Sequence, residues 1–180
     1  ESFKKSLEIR PQDEATYNNI ALALAGSGHN ELARQGFEMA LSIQPDFIVA
    51  RRNLADLEHE LGETAQAIIN YEKCIFSCPD DPITHHNLGH TLASIGEFDQ
   101  AIEAYGNALK LNKNFSMAHF NLGSIYLDLG RYSEAISSFT DAIRLDGKFA
   151  NAYYNLAIAW KKNSDNFSAI EAFRNAINVD

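Results

Sequence analysis

A helix–turn–helix pattern returns every 34 residues, and this period constrains the fold more than any other feature of the chain. It is clearest in residues 116–149, where two stretches with apolar residues at helical spacing flank a break at Gly130 and Arg131. Glycine adopts the left-handed conformation that often ends a helix, at no cost from a Cβ atom. Each period therefore predicts an antiparallel pair of helices.

The period divides the chain into segments of one kind. We expect residues 1–13 to be the second helix of a truncated repeat, followed by repeats at 14–47, 48–81, 82–115, 116–149 and, incomplete, 150–180. A single hairpin cannot bury both of its faces, so consecutive hairpins must stack. The sequence thus predicts one all-α solenoid domain without a linker or a second domain.

Certain places within the repeat, counted from Glu14, keep one type of side chain. The eighth place is always small: Ala21, Ala55, Gly89, Gly123, Ala157. The twentieth is always alanine: Ala33, Ala67, Ala101, Ala135, Ala169. The twenty-fourth is always aromatic: Phe37, Tyr71, Tyr105, Phe139, Phe173. Small residues let the two helices approach closely, and the aromatic ring fills the space beside them.

This pattern resembles the tetratricopeptide repeat family over essentially the whole chain. The resemblance implies a right-handed superhelical solenoid whose first helices line a concave face, used for protein–protein interaction. Lys113 and Gly147 replace the proline that closes the second helix elsewhere, so we expect those two helices to run on slightly. Ser164 replaces the glycine of the turn in repeat five, which leaves the form of that turn open.

Composition narrows the function. The net charge of −9 has no basic stripe within it, which disfavours nucleic acid as a partner. No apolar run approaches the length of a membrane span, and the residues given contain no signal-peptide pattern, which leaves targeting open. We expect a cytoplasmic protein, with the nucleus open, and a fragment of a longer protein or a chain whose open end packs on a neighbour. Cys74 and Cys78 predict neither a disulfide nor a zinc site.

The sixth place, on the predicted concave face, is asparagine in every repeat: Asn19, Asn53, Asn87, Asn121, Asn155. Asparagine is a mediocre helix former, so this row needs a reason. A carboxamide both donates and accepts hydrogen bonds, and can pair with the backbone of an extended peptide. The alternative is that these residues belong to the repeat consensus and pair within the scaffold. The row resembles the asparagine ladder of the O-linked N-acetylglucosamine transferase repeats and the asparagines of the peroxisomal targeting-signal receptor.

The neighbouring places on that face vary, so we expect them to give specificity. The middle of the predicted groove is polar and its C-terminal half is apolar and aromatic: Arg52, Asp56, His86, His90, then Met117, Phe120, Tyr154, Ile158. The alternative for the aromatic residues is packing against an adjacent helix. His86 and His90 stand four residues apart on one helical face, yet no HExxH motif accompanies them, so we predict neither a metal nor a cofactor.

The sequence therefore predicts a non-enzymatic protein-interaction scaffold that holds an extended or helical segment of another protein in its concave groove. One alternative is the substrate-recognition arm of a larger enzyme, such as a glycosyltransferase. Another is a self-assembling scaffold, a homo-oligomer formed through uncapped ends or the concave face. Neither nucleic acid nor membrane insertion is expected. Binding of chaperone tails is disfavoured, because the sixth place is never arginine and the second is never lysine.

Overall fold

A computed structural model describes residues 13–179, and within that range the chain forms ten α-helices. The helix predicted before Asp13 lies outside the described residues. The helices are α1 Glu14–Gly26, α2 Asn30–Ile43, α3 Ile48–Glu60, α4 Thr64–Ser77, α5 Pro82–Ser94, α6 Phe98–Leu111, α7 Ser116–Asp128, α8 Tyr132–Leu145, α9 Ala150–Lys162 and α10 Asn166–Val179.

The chain divides after Asp80 into two compact units. The first holds α1 to α4 and the second holds α5 to α10. In both units the helices pair as hairpins, and the second helix of one hairpin packs on the first helix of the next. The predicted all-α repeat array is confirmed.

The first helices of neighbouring hairpins also contact one another inside each unit. Helix α1 touches α3 in the first unit, and α7 touches both α5 and α9 in the second. Among the described residues, the second helices of neighbouring hairpins make no comparable contact. Within each unit the first helices therefore lie on the inner side of the stack.

The hairpins close where a small residue faces an aromatic ring. A Cβ atom at Gly123 would lie 2.8 Å from the ring of Phe139, and one at Gly89 would lie 3.0 Å from the ring of Tyr105. Both rings are almost completely buried, at 0% and 1% exposure. The small eighth place is thus a packing requirement, as the sequence pattern predicts.

The turn inside each hairpin uses one left-handed residue. Gly28, Gly62, Gly96 and Gly130 have φ between 72° and 82°, and Ser164 has φ 67° at the equivalent place. The fifth turn, which the sequence leaves open, therefore has the same form as the other four. It keeps this form although a side chain is disfavoured in the left-handed region.

The expectation that two helices run on beyond their neighbours is wrong. Helices α6 and α8 end at Leu111 and Leu145, the places where α2 and α4 also end. In the place of proline, a side chain ends each helix. Asn112 Oδ1 accepts a hydrogen bond from the Asn114 backbone N–H at 3.0 Å, and Asp146 Oδ1 accepts one from Lys148 N–H at 3.0 Å. Such turns compete with further helix.

Candidate functional site

The asparagine row lies on the first helices, which line the inner side of each unit. Asn19 is exposed, whereas the other four members of the row are half-buried: Asn53, Asn87, Asn121 and Asn155. Half-burial matters because a carboxamide between two packed helices is close enough to bond with the scaffold itself. The structure shows which members do so.

In the first unit, Asn53 reaches back to the preceding repeat. Its Nδ2 donates to Asn18 Oδ1 at 2.8 Å, and Asn18 is only 4% exposed. Asn18 Nδ2 in turn donates to Asn19 Oδ1 at 3.4 Å. Two members of the row are therefore joined through the residue at the fifth place of repeat one. This chain of amides binds α3 to α1.

In the second unit, Asn121 makes the equivalent contact with His86. Asn121 Nδ2 lies 3.1 Å from His86 Nε2, and His86 Nδ1 lies 3.1 Å from Asn87 Oδ1. An amide nitrogen only donates, so Nε2 must accept and the imidazole proton must be on Nδ1, where it donates to Asn87. Asn121 and Asn87 are thus linked through a histidine, as Asn53 and Asn19 are linked through an amide.

Asn121 also forms a hydrogen bond with Tyr105, the buried aromatic residue of the preceding hairpin. Burial raises the pKa of the Tyr105 hydroxyl, and a hydrogen bond with Asn121 lowers it by less. A buried phenol needs such a partner, because an unsatisfied hydroxyl in the core costs free energy. The Asn121 carboxamide is therefore used within the scaffold.

Asn155 differs from the other half-buried members. The fifth place of the preceding repeat is Phe120, which offers no hydrogen-bond acceptor. Within residues 13–179, no side-chain partner is found for the Asn155 carboxamide. Of the half-buried row, this amide is the one left available for the backbone of a ligand.

The fifth place is a stacking position. His86 stacks on Phe115 with ring centroids 4.7 Å apart, and Phe120 lies 4.7 Å from Phe149 and 5.8 Å from Phe139. Each ring is covered by the phenylalanine that precedes the next repeat. Phe120 is consequently half-buried rather than free on the surface.

Tyr154 is exposed, at 53%. Its ring lies 5.6 Å from Phe173 in an edge-on arrangement.

The polar residues of the predicted groove are distributed over both units. Arg52 and Asp56 belong to the first unit, where both are half-buried, and Asp56 accepts the Tyr71 hydroxyl at 2.5 Å. His90 is exposed and Ile158 half-buried in the second unit. In the part of the chain that the structure describes, no group of three or more His, Cys, Asp or Glu residues is arranged to hold a metal ion.

An exposed apolar row at the second place was missed by sequence reasoning, apart from Met117. Val49 in the first unit is 41% exposed, while Ile83 and Met117 in the second unit are 46% and 44% exposed. Ile83 and Met117 begin α5 and α7, two first helices that touch. The signal was present, because three repeats in succession carry an aliphatic residue at a place assigned to the concave face.

None of the described helices has the length and apolar character needed to cross a membrane.

The stacked hairpins and the inward-facing first helices define a helical repeat protein of the kind that presents an extended inner surface to partners. Tetratricopeptide repeat models match residues 53–81, 86–148 and 125–178, which together cover more than half of the chain. The chain belongs to the tetratricopeptide repeat family.

Similar solved structures support the fold. MamA from Desulfovibrio magneticus RS-1 has a TM-score of 0.84 at 16% identity, covering 94% of this chain and 96% of that one. YrrB, described as a TPR protein with an unusual peptide-binding site, has a TM-score of 0.76 at 23% identity and covers 100% and 93%. PilF of Pseudomonas aeruginosa has a TM-score of 0.85 at 21% identity and covers 93% and 76%.

One similar curated protein is the peroxisomal targeting signal receptor of Kluyveromyces lactis. It is 37% identical over 46 residues, which is 26% of this chain and 8% of the receptor. The match therefore spans a small part of that protein's length.

Proposed function

We propose that the inner face of the second unit binds an extended segment of another protein that carries apolar side chains. The observation that supports this most directly is the pair of exposed aliphatic residues, Ile83 and Met117, at one register of two touching helices. Solvent-exposed apolar residues aligned along a preformed surface are typical of interaction sites. The available carboxamide of Asn155 lies in the same unit and provides a polar contact for a ligand backbone.

The dimensions fit an extended ligand. Packed helices stand about 8–10 Å apart, and an extended chain advances about 3.3 Å per residue. A ligand that crosses successive first helices would therefore present about every third residue to the same place of each repeat. The apolar second place would hold side chains, and the sixth place would hold backbone where its amide is free.

The comparisons support the same function from another direction. The chain shares its fold with a TPR protein that has a peptide-binding site, and 46 of its residues align with a receptor for a targeting signal. One description names a peptide-binding site on a TPR protein, and the other names recognition of a targeting signal. We infer a scaffold that holds a protein segment, with no chemistry of its own.

The resemblance to the transferase ladder supports a second candidate, a substrate-recognition arm of a larger enzyme. In that role the row would act as a uniform set of backbone contacts. Asn53 and Asn121 already donate to Asn18 and His86, so only part of the row is available for such contacts in the structure described. This favours the apolar row as the main determinant of binding.

The experiment is selection from a displayed library of random peptides, followed by titration of a selected peptide with variants of the chain. Met117→Glu and Ile83→Glu place a charge where the proposed apolar contact lies, so we expect each to weaken binding by about tenfold or more. Asn155→Ala removes one hydrogen-bonding group and should weaken it by a few-fold.

The matched control is Ile170→Glu. Ile170 is 53% exposed and lies on α10, a second helix of the same unit, so this charge should leave binding unchanged. Equal binding by wild type and Met117→Glu, or no enrichment of any peptide, would contradict the proposal.

A further inference from the structure

Helix α4 carries an exposed stripe that the groove does not include. The stripe consists of Ile69, Glu72, Lys73 and Phe76, four exposed residues spaced as neighbours on one helical face. Phe76 is 91% exposed and Ile69 41%. Both border a surface depression of about 510 Å³ that Arg51 and Ser77 help to line. A phenylalanine this exposed contributes almost nothing to the core of its own repeat.

The other repeats provide an internal comparison. The places equivalent to Ile69 and Phe76 are polar and exposed in all four: Gln35 and Ser42, Glu103 and Lys110, Ser137 and Arg144, Glu171 and Asn178. The hairpin therefore forms equally well with polar residues at these two places. The apolar pair on α4 has no role in folding that the other repeats share, and it calls for a partner outside the chain.

The order of residues in the stripe identifies that partner as a second copy of the chain. A two-fold axis that crosses α4 between Glu72 and Lys73 brings Ile69 opposite Phe76 of the second copy. The same axis brings Glu72 opposite Lys73 of that copy, and each contact occurs twice. A symmetric dimer requires a patch that is complementary to itself in this way.

We propose that two copies of the chain associate through antiparallel α4 helices, with two Ile69–Phe76 contacts flanking two Glu72–Lys73 ion pairs. The stripe carries one charge of each sign, so a uniformly acidic or basic partner gains little from it. A second copy satisfies both charges and both apolar residues together. This surface lies on a second helix of the first unit, apart from the first-helix face proposed for peptide binding.

One helix pair buries less surface than a standard stable interface, so the dimer is weak. We expect a dissociation constant between about 1 μM and about 1 mM. Sedimentation velocity of the 180-residue chain at low ionic strength, across that concentration range, should show the average mass rising from monomer towards dimer.

Charge reversal tests the geometry. E72K and K73E each place like charges opposite one another in the dimer, so each variant alone should remain monomeric. An equimolar mixture of E72K and K73E restores opposite charges across the axis and should associate again. The double variant E72K/K73E, in which the charges are exchanged, should dimerise like the wild type.

Two further variants complete the test. Phe76→Ser introduces the residue that repeat one has at this place and should abolish association while circular dichroism stays unchanged. Glu103→Lys reverses a charge on α6 at the place equivalent to Ile69 and should leave association intact. A chain that stays monomeric at all concentrations overturns the proposal. So does an association that E72K does not weaken, or a mixture of the two single variants that fails to associate.

Discussion

The two junctions between repeats in the second unit place the same asparagine in different surroundings. Between repeats three and four, Asn121 bonds with His86, and the contact is a polar relay that continues to Asn87. Between repeats four and five, Phe120 takes the place of His86; it keeps equivalent ring contacts, with Phe139 and Phe149, but has no hydrogen-bonding atom, so the relay is absent. Asn155 is left without a side-chain partner within residues 13–179.

The difference shows that the role of an asparagine in this row depends on the residue at the fifth place of the preceding repeat. A polar residue there draws the carboxamide into the scaffold, as Asn18 also does with Asn53 in the first unit. An aromatic residue there offers no hydrogen-bond partner, so the carboxamide is not bonded to that side chain. Identical side chains in one row therefore differ in whether they hydrogen-bond within the scaffold.

The largest expected effect on stability comes from removing the aromatic ring of Phe120, at the junction between repeats four and five. Phe120→Ala removes a half-buried ring that contacts Phe139 and Phe149, and should lower the free energy of unfolding by about 2–3 kcal/mol. His86→Ala removes a smaller, more polar ring that contacts Phe115 and Tyr105, together with the relay, and should cost about 1–2 kcal/mol. Urea denaturation of both variants measures the difference. Equal losses would mean that the two junctions are equivalent in stability.

The hairpins of repeats three and four differ in how closely the glycine of the first helix approaches the aromatic ring of the second. Ala at position 123 would put a Cβ atom 2.8 Å from the Phe139 ring, against 3.0 Å from the Tyr105 ring for Gly89. Overpacking of this kind costs about 1–3 kcal/mol, so Gly123→Ala should destabilise the chain more than Gly89→Ala.

The control for these substitutions is Gly106→Ala. No atom lies within 4 Å of a Cβ atom at Gly106, which is inside α6, so this change should raise the free energy of unfolding by about 0.5–1 kcal/mol. Thermal unfolding should give the lowest midpoint temperature for Gly123→Ala, a higher one for Gly89→Ala and the highest for Gly106→Ala. A destabilised Gly106→Ala would show that loss of glycine itself, and not the ring contact, is responsible.

The two asparagines give the most direct test of the comparison. Asn121→Ala loses hydrogen bonds with His86 and Tyr105 and should cost about 1 kcal/mol. Asn155→Ala loses no side-chain partner among residues 13–179 and gains helix propensity, so its effect should lie between zero and a gain of about 0.5 kcal/mol. Chemical denaturation measures both. A loss of stability on Asn155→Ala would mean that its carboxamide has a structural partner after all.

The sequence predicted the repeating architecture well because the signals for it are local. The glycines of the turns, the small eighth place and the buried aromatic residue each act within one hairpin. The two helices expected to run on did not, since Asn112 and Asp146 end them through side-chain hydrogen bonds. Asparagine and aspartate favour such turns, so the residue types themselves carry this signal.

The site was less predictable because its contacts join residues in different repeats. The five asparagines are identical in the sequence, and what separates Asn121 from Asn155 is the side chain 35 residues earlier. His86 and Phe120 were predicted to face a ligand, and the structure places each against the phenylalanine that ends its own repeat, Phe115 and Phe149. Whether they also touch a ligand stays a prediction. The period alone does not indicate which side chains are used between hairpins.

The smallest expected effect on stability concerns the junction between repeats one and two. This junction differs from the other two because it contains a buried charge. Glu58 is 4% exposed, accepts a hydrogen bond from Asn70 Nδ2 at 2.8 Å and lies 3.6 Å from Arg34 Nη1. Burial raises the pKa of the Glu58 carboxyl, while Asn70 and Arg34 lower it by less, and Glu63 and Glu38 act with burial.

The sign of the pH dependence follows from that raised pKa. The folded chain holds the Glu58 proton more tightly than the unfolded chain does. The contribution to stability is therefore fully present below the unfolded pKa and is lost as the pH rises through the folded pKa.

Glu58→Gln removes this dependence and keeps an acceptor for Asn70. We expect the stability of the variant relative to the wild type to increase as the pH rises from the unfolded pKa of glutamate through the raised value. Urea denaturation at a series of pH values measures it, and a relative stability that falls over this interval would show that Arg34, rather than burial, dominates at Glu58. The charged form of Glu58 would then stabilise the fold, as the hydrogen-bonded side chains at the other junctions do.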